Sequence, residues 1–179
     1  MEQRQASQWD LPHPHVVEQT VTDADIDGLA HANNACYVIW CERCAWDHSH
    51  CLGLTVTDYR QLNRGVAIQR ADYEYFHPAV SGDRLIIGTW LTACDNKLRL
   101  QRQFQIRHAK TGQTVLRGHW RLVCIKFSSG RPCRLPKQFI EIYGAAVVDP
   151  EAAPGKKPAP GKKPAPGKAT APNKVLASE

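Results

Sequence analysis

A change in the spacing of apolar residues near Gly53 constrains the fold more than any other feature of the sequence. From Asn33 to about Cys51, apolar and small side chains recur every three or four residues, which is the period of a helix with one buried face. Beyond Gly53 the spacing becomes two, which is typical of strands. The order predicts an α+β fold, in which one long helix packs against an antiparallel sheet.

The remaining elements are predicted from the same spacing and from turn residues. Asn33 or Asn34 is a plausible N-cap of the helix, and Gly53 ends it. Within one of the predicted strands, Val66 and Ile68 lie on one face and two tyrosines on the other. The predicted strands are His15–Asp23, Gly65–Phe76, Leu85–Ala93, Lys97–Ala109 and Gln113–Phe127, with a turn at Asp95-Asn96 and a last helix at Pro136–Tyr143.

The composition indicates one folded domain, residues 1–149, followed by a tail, residues 150–179. The 179 residues are 42% hydrophobic, enough to bury one core. The tail repeats the hexad Ala-Pro-Gly-Lys-Lys-Pro, which cannot build a core and is expected to be disordered. Its six lysines and two glutamates contribute +4 of the net charge of +6, so the folded part carries only +2 and a nucleic-acid partner is not indicated.

Cysteine usage and hydropathy bear on the compartment. Seven cysteines, an odd number spread from Cys36 to Cys133, suit free thiols in a reducing compartment better than a disulfide framework. The N-terminal residues contain no apolar segment typical of a signal peptide, and no run of about 18 apolar residues occurs. A soluble, cytoplasmic protein is expected.

The helix carries cysteines that could form a metal or redox site. Cys41, Cys44, His48 and Cys51 share one helical face. However, ten helical residues extend about 15 Å, whereas zinc holds its ligands at about 2.3 Å, so one straight helix cannot supply all four. A redox pair would need a helix N-terminus to lower its thiol pKa, and Cys41 and Cys44 lie about two turns inside. Buried packing is expected, with no metal.

Two stretches of the sequence carry a family resemblance. DIDGLAHANNACY, residues 25–37, resembles the D-x-D-x-x-G-H-V-N-N-x-x-Y signature of hotdog-fold acyl-CoA thioesterases of the 4-hydroxybenzoyl-CoA thioesterase type. YFHPAVSGD, residues 75–83, resembles the family's Y-x-x-P-x-x-x-G-D strand and turn, and residues 130–136 resemble its closing loop. The sequence departs from the signature at Ala30, where the family commonly has glycine, and at Ala32, where it commonly has valine.

The resemblance implies a hotdog fold and assigns the site residues. Asp27 is implied to be the catalytic carboxylate, as nucleophile or as general base, and the backbone N–H of Asn34 to face the thioester oxygen. His31 is expected to contact the substrate or to stabilise the loop, and Asn33 to cap the helix and shape the site. Tyr37 and Glu42 are assigned to substrate binding. Three roles stay open for Glu42: it holds a water, it contacts the neighbouring subunit, or it is an ordinary solvated acid of the helix. The family forms dimers with shared active sites, often assembled into tetramers.

The chemistry agrees with this assignment. Thioester hydrolysis needs an oxygen nucleophile and positive potential at the carbonyl oxygen, and a carboxylate just before a helix N-terminus can provide both. The expected reaction is hydrolysis of a fatty or aromatic acyl-CoA to the free acid and CoA, with CoA as part of the substrate and no other cofactor. Two alternatives stay open: a hotdog hydratase or dehydratase using His31 as base, and a non-catalytic module that binds acyl-CoA or protein.

Overall fold

The computed structural model describes residues 9–149, so the predicted tail at 150–179 lies outside the described residues. The chain forms five strands and three α-helices over this range. In chain order they are β1 (His15–Thr20), α1 (Asn34–Cys51), α2 (Val56–Gln61), β2 (Arg64–Tyr75), β3 (Arg84–Cys94), β4 (Arg99–His108), β5 (Thr114–Lys126) and α3 (Lys137–Ala145).

The five strands form one antiparallel sheet in the order β1-β3-β4-β5-β2. Short turns join β3 to β4 and β4 to β5. In the first of these turns, Asp95 Oδ1 accepts the backbone N–H groups of residues 97–99 at 2.7–2.8 Å, which explains why β4 begins at Arg99 and not at Lys97 as predicted. Strand β2 lies at one edge of the sheet and β1 at the other.

Helix α1 packs on one face of the sheet and confirms the predicted long helix. Its buried residues recur at spacings of three, one, three, one and four, and they include Cys41 and Cys44, both fully buried. The helix ends at Cys51, and Gly53 follows with φ of +90°, a left-handed conformation that glycine adopts without strain. The cysteines of this face therefore belong to the hydrophobic core, together with Tyr37 and Trp40.

Strand β2 corrects one prediction, since Val66 and Tyr73 face the same side of the sheet. The pairing of β2 with β5 shifts register between Ile68 and Arg70, so one extra residue reverses the alternation beyond that point. Val66 and Tyr73 both pack against the core, and Tyr75 makes a ring contact with Tyr37 of α1, 5.6 Å between centroids. The two tyrosines therefore point toward α1, where the period of two had placed them on the opposite face.

Helix α2 was not predicted. Its six residues are too few for a spacing pattern, but Thr55 and Asp58 form a reciprocal capping box at its start. Tyr59 of α2 is buried and packs on Phe139 of α3, with ring centroids 4.7 Å apart. The two short helices thus close the core beside α1. None of the helices within residues 9–149 combines the length and hydropathy needed to cross a membrane.

Candidate active site

The acidic loop before α1 begins with a tight turn. Residues Asp23–Asp25 form a 3-10 turn, where β1 had been predicted to continue to Asp23. Thr22 donates its backbone N–H and its hydroxyl to Asp25 Oδ2, both at 2.8 Å, and the first of these bonds is the main reason why the pKa of Asp25 lies below its ordinary value. Asp23 accepts the Ser81 hydroxyl at 2.5 Å. Asp23 and Asp25 are therefore engaged in holding the loop.

Asp27 is half-buried, and its carboxylate is held through one of its two oxygens. Its Oδ1 accepts the N–H of Leu29 at 2.8 Å, and its own N–H donates to the carbonyl of His31 at 2.8 Å. These bonds fix the position of the carboxylate. No hydrogen bond from any residue within 9–149 reaches Oδ2, so this oxygen can meet a water or a substrate.

The turn that positions Asp27 contains a strained residue. Ala30 has φ of +61°, in the left-handed region that side chains other than glycine rarely adopt. Its N–H donates to the carbonyl of Asp27 at 3.0 Å and closes the turn. The backbone thus takes the shape that suits the glycine of the family signature, although alanine occupies the position.

The N-terminus of α1 supplies the second chemical element. Asn33 is the N-cap: its Oδ1 accepts the N–H of Ala35 at 2.9 Å, as predicted for one of the two asparagines. Asn34 is the first helical residue, and its N–H donates to no acceptor in the described part of the chain. The positive end of the helix dipole adds to the field at this donor.

Most of the predicted site residues line one surface depression of about 480 Å³, called here the Asp27 depression. Tyr37 is 2% exposed, and its hydroxyl accepts the N–H of Ala79 at 3.1 Å. It therefore contributes a buried surface and has little freedom to move. The predicted residues that line the depression are Asp27, His31, Asn33, Asn34 and Tyr37.

A second segment of the chain, not assigned to the site from the sequence, also lines the depression with Tyr75, Phe76, His77 and Pro78. They follow one another at the end of β2 and in the loop beyond it, within the stretch that carries the Y-x-x-P resemblance. The Tyr75 hydroxyl donates to the carbonyl of Asn34 at 3.4 Å, which ties this strand to the start of α1. The Y-x-x-P motif was the sequence signal that could have identified these residues, because it belongs to a second segment that lies at the N-terminus of α1.

Glu42 does not join this group. It lies eight residues beyond Asn34 on α1, about 12 Å along the helix axis. It is exposed and lines two other surface cavities, formed with residues farther along α1. Within one chain, Glu42 therefore cannot act on a group bound beside Asp27.

Cys41 and Cys44 of α1 are free and buried, as expected from the sequence, whereas Cys51 at the end of the helix is free and exposed. Burial raises the pKa of Cys44 to about 12 and that of Cys41 further, so both are thiols at neutral pH. Within residues 9–149, the group whose ligand atoms could gather around a metal ion is His15, Asp47 and Cys51, all within 4.8 Å. Only Cys51 of this group belongs to the set considered from the sequence.

A held carboxylate and a free N–H at a helix start are what hydrolysis of an activated acyl group requires. The sequence profile of the thioesterase-like superfamily matches residues 21–142, which include all of these residues. The chain belongs to the thioesterase-like superfamily. No curated protein sequence matches this member of the superfamily.

Solved structures share the fold of this thioesterase-like chain. A 1,4-dihydroxy-2-naphthoyl-CoA thioesterase from Synechocystis is 20% identical, with a TM-score of 0.66 over 74% of this chain and 96% of its own. A DHNA-CoA thioesterase from Staphylococcus aureus is 22% identical, with a TM-score of 0.66 over 73% and 86%. A second Staphylococcus aureus protein, in complex with CoA, is 20% identical, with a TM-score of 0.68 over 83% and 96%. The fold is the hotdog fold that the resemblance implied.

Proposed function

We propose that this protein is an acyl-CoA thioesterase that hydrolyses a fatty or aromatic acyl-CoA to the free acid and CoA. The observation that carries the proposal is that the open oxygen of Asp27 and the free N–H of Asn34 line the same depression. Asp27 acts on the carbonyl carbon as nucleophile or activates the water that attacks it. The Asn34 N–H stabilises the oxyanion that develops.

The main test measures thiol release from short, long and aromatic acyl-CoAs with the wild type and Asp27→Asn. General-base catalysis contributes about 10²- to 10⁴-fold, so kcat is expected to fall by at least a hundredfold. Asp23→Asn is the matched control, because Asp23 lies in the same loop but outside the depression. Full activity in Asp27→Asn would refute the assigned role.

The oxyanion donor can be tested although it is a backbone group. Proline fits the first position of a helix and has no N–H, and Asn33 has φ of −60° and ψ of 138°, which are compatible with a following proline. Asn34→Pro is therefore expected to keep the fold and lose about 10²- to 10³-fold in kcat. Asn34→Ala keeps the N–H and serves as the control. Equal activity of the two variants would exclude this N–H as the donor.

The same assays separate the alternative functions. A hydratase or dehydratase changes the absorbance of an α,β double bond without releasing thiol. A binding module releases no thiol with any acyl-CoA in the panel, although it binds one of them. CoA is proposed as part of the substrate, and the S. aureus relative in complex with CoA supports that choice. No metal or redox cofactor is proposed, so activity should survive dialysis against EDTA.

We also propose that Glu42 works across a dimer interface, with further assembly into tetramers. The outer edge of β2 pairs with no strand within the described residues, and Ile68 and Tyr75 on this strand are 46% and 42% exposed. A second copy that covers this edge would bring its own Glu42 toward the Asp27 depression. Sedimentation measures the assembly state, and a monomer at micromolar concentration would contradict this.

A complementation experiment tests shared sites. Asp27→Asn and Glu42→Gln chains, each weakened alone, are unfolded together and refolded. A mixed dimer with shared sites has one site with both native carboxylates, so mixing should restore activity. No restoration would contradict a shared site that uses both residues. The cytoplasmic location remains part of the proposal, and the free state of all seven cysteines is consistent with a reducing compartment.

A further inference from the structure

Arg102 of β4 is a buried charge without a counter-ion. Its side chain is 3% exposed, and no carboxylate of residues 9–149 lies within 4.0 Å of its guanidinium. Its Nη1 donates to His48 Nδ1 at 2.9 Å and to the Thr89 hydroxyl at 3.3 Å. An unpaired buried charge is costly to the fold, so an anion from outside the chain is the expected partner.

The groups around Arg102 stay neutral. Burial, with the guanidinium itself, lowers the pKa of His48 to about 3, so His48 accepts the Arg102 hydrogen bond as a neutral ring. Burial keeps Cys44 protonated and raises the pKa of Tyr59 well above its ordinary value. None of these side chains balances the charge at neutral pH.

Arg102 lines a cavity of about 270 Å³ between α1 and the sheet, called here the Arg102 cavity. Nε and Nη2 donate no hydrogen bond to any of residues 9–149, and neither nitrogen is fully buried. Since Arg102 lines the cavity, these two donors are available to a ligand bound there. Nε and Nη2 form one side of the guanidinium fork, which matches the two oxygens of a carboxylate.

The cavity has a polar end and apolar walls. Tyr59, Tyr143 and Ser49 line it and are linked by hydroxyl hydrogen bonds that run from Tyr59 to Tyr143 and on to Ser49. Leu91 and Trp120, which pair with Arg102 on the two neighbouring strands, line the walls. A ligand here needs one anionic end and an apolar body.

The size and opening of the cavity limit the ligand further. At about 270 Å³, the cavity lies just below the roughly 300–1,000 Å³ of typical ligand pockets, so it suits a small molecule. Glu42, Trp46 and Ile68 line the same cavity and are exposed, so it opens to the surface between α1 and β2. We infer that the Arg102 cavity binds a small carboxylate with an apolar body, held by the guanidinium of Arg102.

The first test uses benzoate and benzamide, which share a shape but not a charge, with calorimetry on the full chain. Benzoate should bind, and benzamide should bind at least tenfold more weakly, because a hydrogen bond to a charged group accounts for about tenfold to a hundredfold in affinity. Inorganic phosphate should also bind more weakly than benzoate, because it is charged but has no apolar body to fill the cavity. Arg102→Met should lose the binding of benzoate. Equal binding of benzoate and benzamide, or no binding of benzoate at millimolar concentration, overturns the inference.

Controls separate binding from folding. Arg107→Met is matched, because Arg107 is a buried arginine of the same strand outside the cavity; it should bind benzoate as the wild type does. Arg102→Met should fold with an unchanged or higher melting temperature, because a methionine of similar volume replaces an uncompensated charge. If it does not fold, Arg102→Lys keeps a charge but loses the fork and should bind benzoate more weakly; unchanged binding overturns the inference.

The carboxylate can come from a free acid or from the far end of an acyl group, and a second test distinguishes these sources. This test rests on the proposed function. Adipoyl-CoA and hexanoyl-CoA have acyl chains of equal length, but only the first ends in a carboxylate. If the cavity holds the acyl group, kcat/KM favours adipoyl-CoA at least tenfold in the wild type and loses this preference in Arg102→Met. Benzoate binding without such a preference supports the free acid, and absence of thiol release leaves the benzoate result standing.

Discussion

Replacing Ala30 by glycine should stabilise this protein, although glycine usually weakens a fold. Ala30 has φ of +61° and its side chain is exposed, so the substitution removes a single methyl group that makes no buried contact. The N–H that closes the turn onto the carbonyl of Asp27, at 3.0 Å, is retained. The effect of Ala30→Gly is therefore confined to the backbone conformation.

Two opposing terms set the magnitude. A left-handed conformation costs a residue other than glycine about 1–2 kcal/mol. Glycine adds freedom to the unfolded chain, which costs about 0.4–1 kcal/mol. The net expectation for Ala30→Gly is an increase in the free energy of unfolding of up to about 1.6 kcal/mol, with a midpoint of about 0.8 kcal/mol. For a domain of this size, the midpoint corresponds to a rise in the melting temperature of about 2–3 °C.

Urea unfolding followed by circular dichroism measures the change, and the m-value should stay the same. Ala35→Gly is the control, because Ala35 is exposed in the first turn of α1, where glycine lowers stability by up to about 1 kcal/mol. The two variants should move the urea midpoint in opposite directions. If Ala30→Gly lowers the midpoint as Ala35→Gly does, Ala30 does not occupy the left-handed region.

Protonation and thiol chemistry give further expectations. The pKa of His48 is lowered from an ordinary 6.5 to about 3 by burial and by Arg102. As the pH falls, the unfolded chain therefore takes up this proton at a higher pH than the folded chain does. Stability should fall by up to about 1.4 kcal/mol per pH unit from pH 6.5 toward pH 3, and His48→Gln should flatten the slope in urea titrations; an equal slope contradicts the assignment. Cys51 is exposed and should react with a thiol reagent in the native state, whereas Cys41 and Cys44 should react only after unfolding. Metal analysis of the pure protein should find no stoichiometric zinc, and one zinc per chain would refute this.

The sequence predicted those elements whose signal extends over many residues. The 18 residues of α1 repeat the helical spacing often enough to identify both the helix and its buried face. Strands β2 to β5 were located to within two residues of their observed ends. The register shift after Ile68 could not be predicted, because one extra residue changes the facing of Tyr73 and Tyr75 without changing their spacing from each other. Which face the side chains occupy beyond a bulge depends on how the strand pairs with its neighbour, here β5.

The candidate site divides in the same way. Asp27, His31, Asn33 and Asn34 lie in one continuous segment, so a local motif was enough to group them, and the folded chain places them on one depression. Glu42 lies in the same segment of sequence, but a straight helix carries it away from Asp27. The proposed role of Glu42 depends on where a second chain lies, and the spacing of residues within one chain does not reveal that position.

The alternation of side chains along β4 already marks Arg102 as unusual in the sequence. On β4, Leu100, Phe104 and Ile106 alternate on the buried face, and Arg102 occupies the position between the first two. A leucine there would complete an apolar stripe and remove a buried charge, so folding alone does not account for arginine. A residue that breaks a local rule in the core points to a function of that position. Since the guanidinium keeps two donors open to a cavity with apolar walls, that function is recognition of an anionic group on an otherwise apolar molecule.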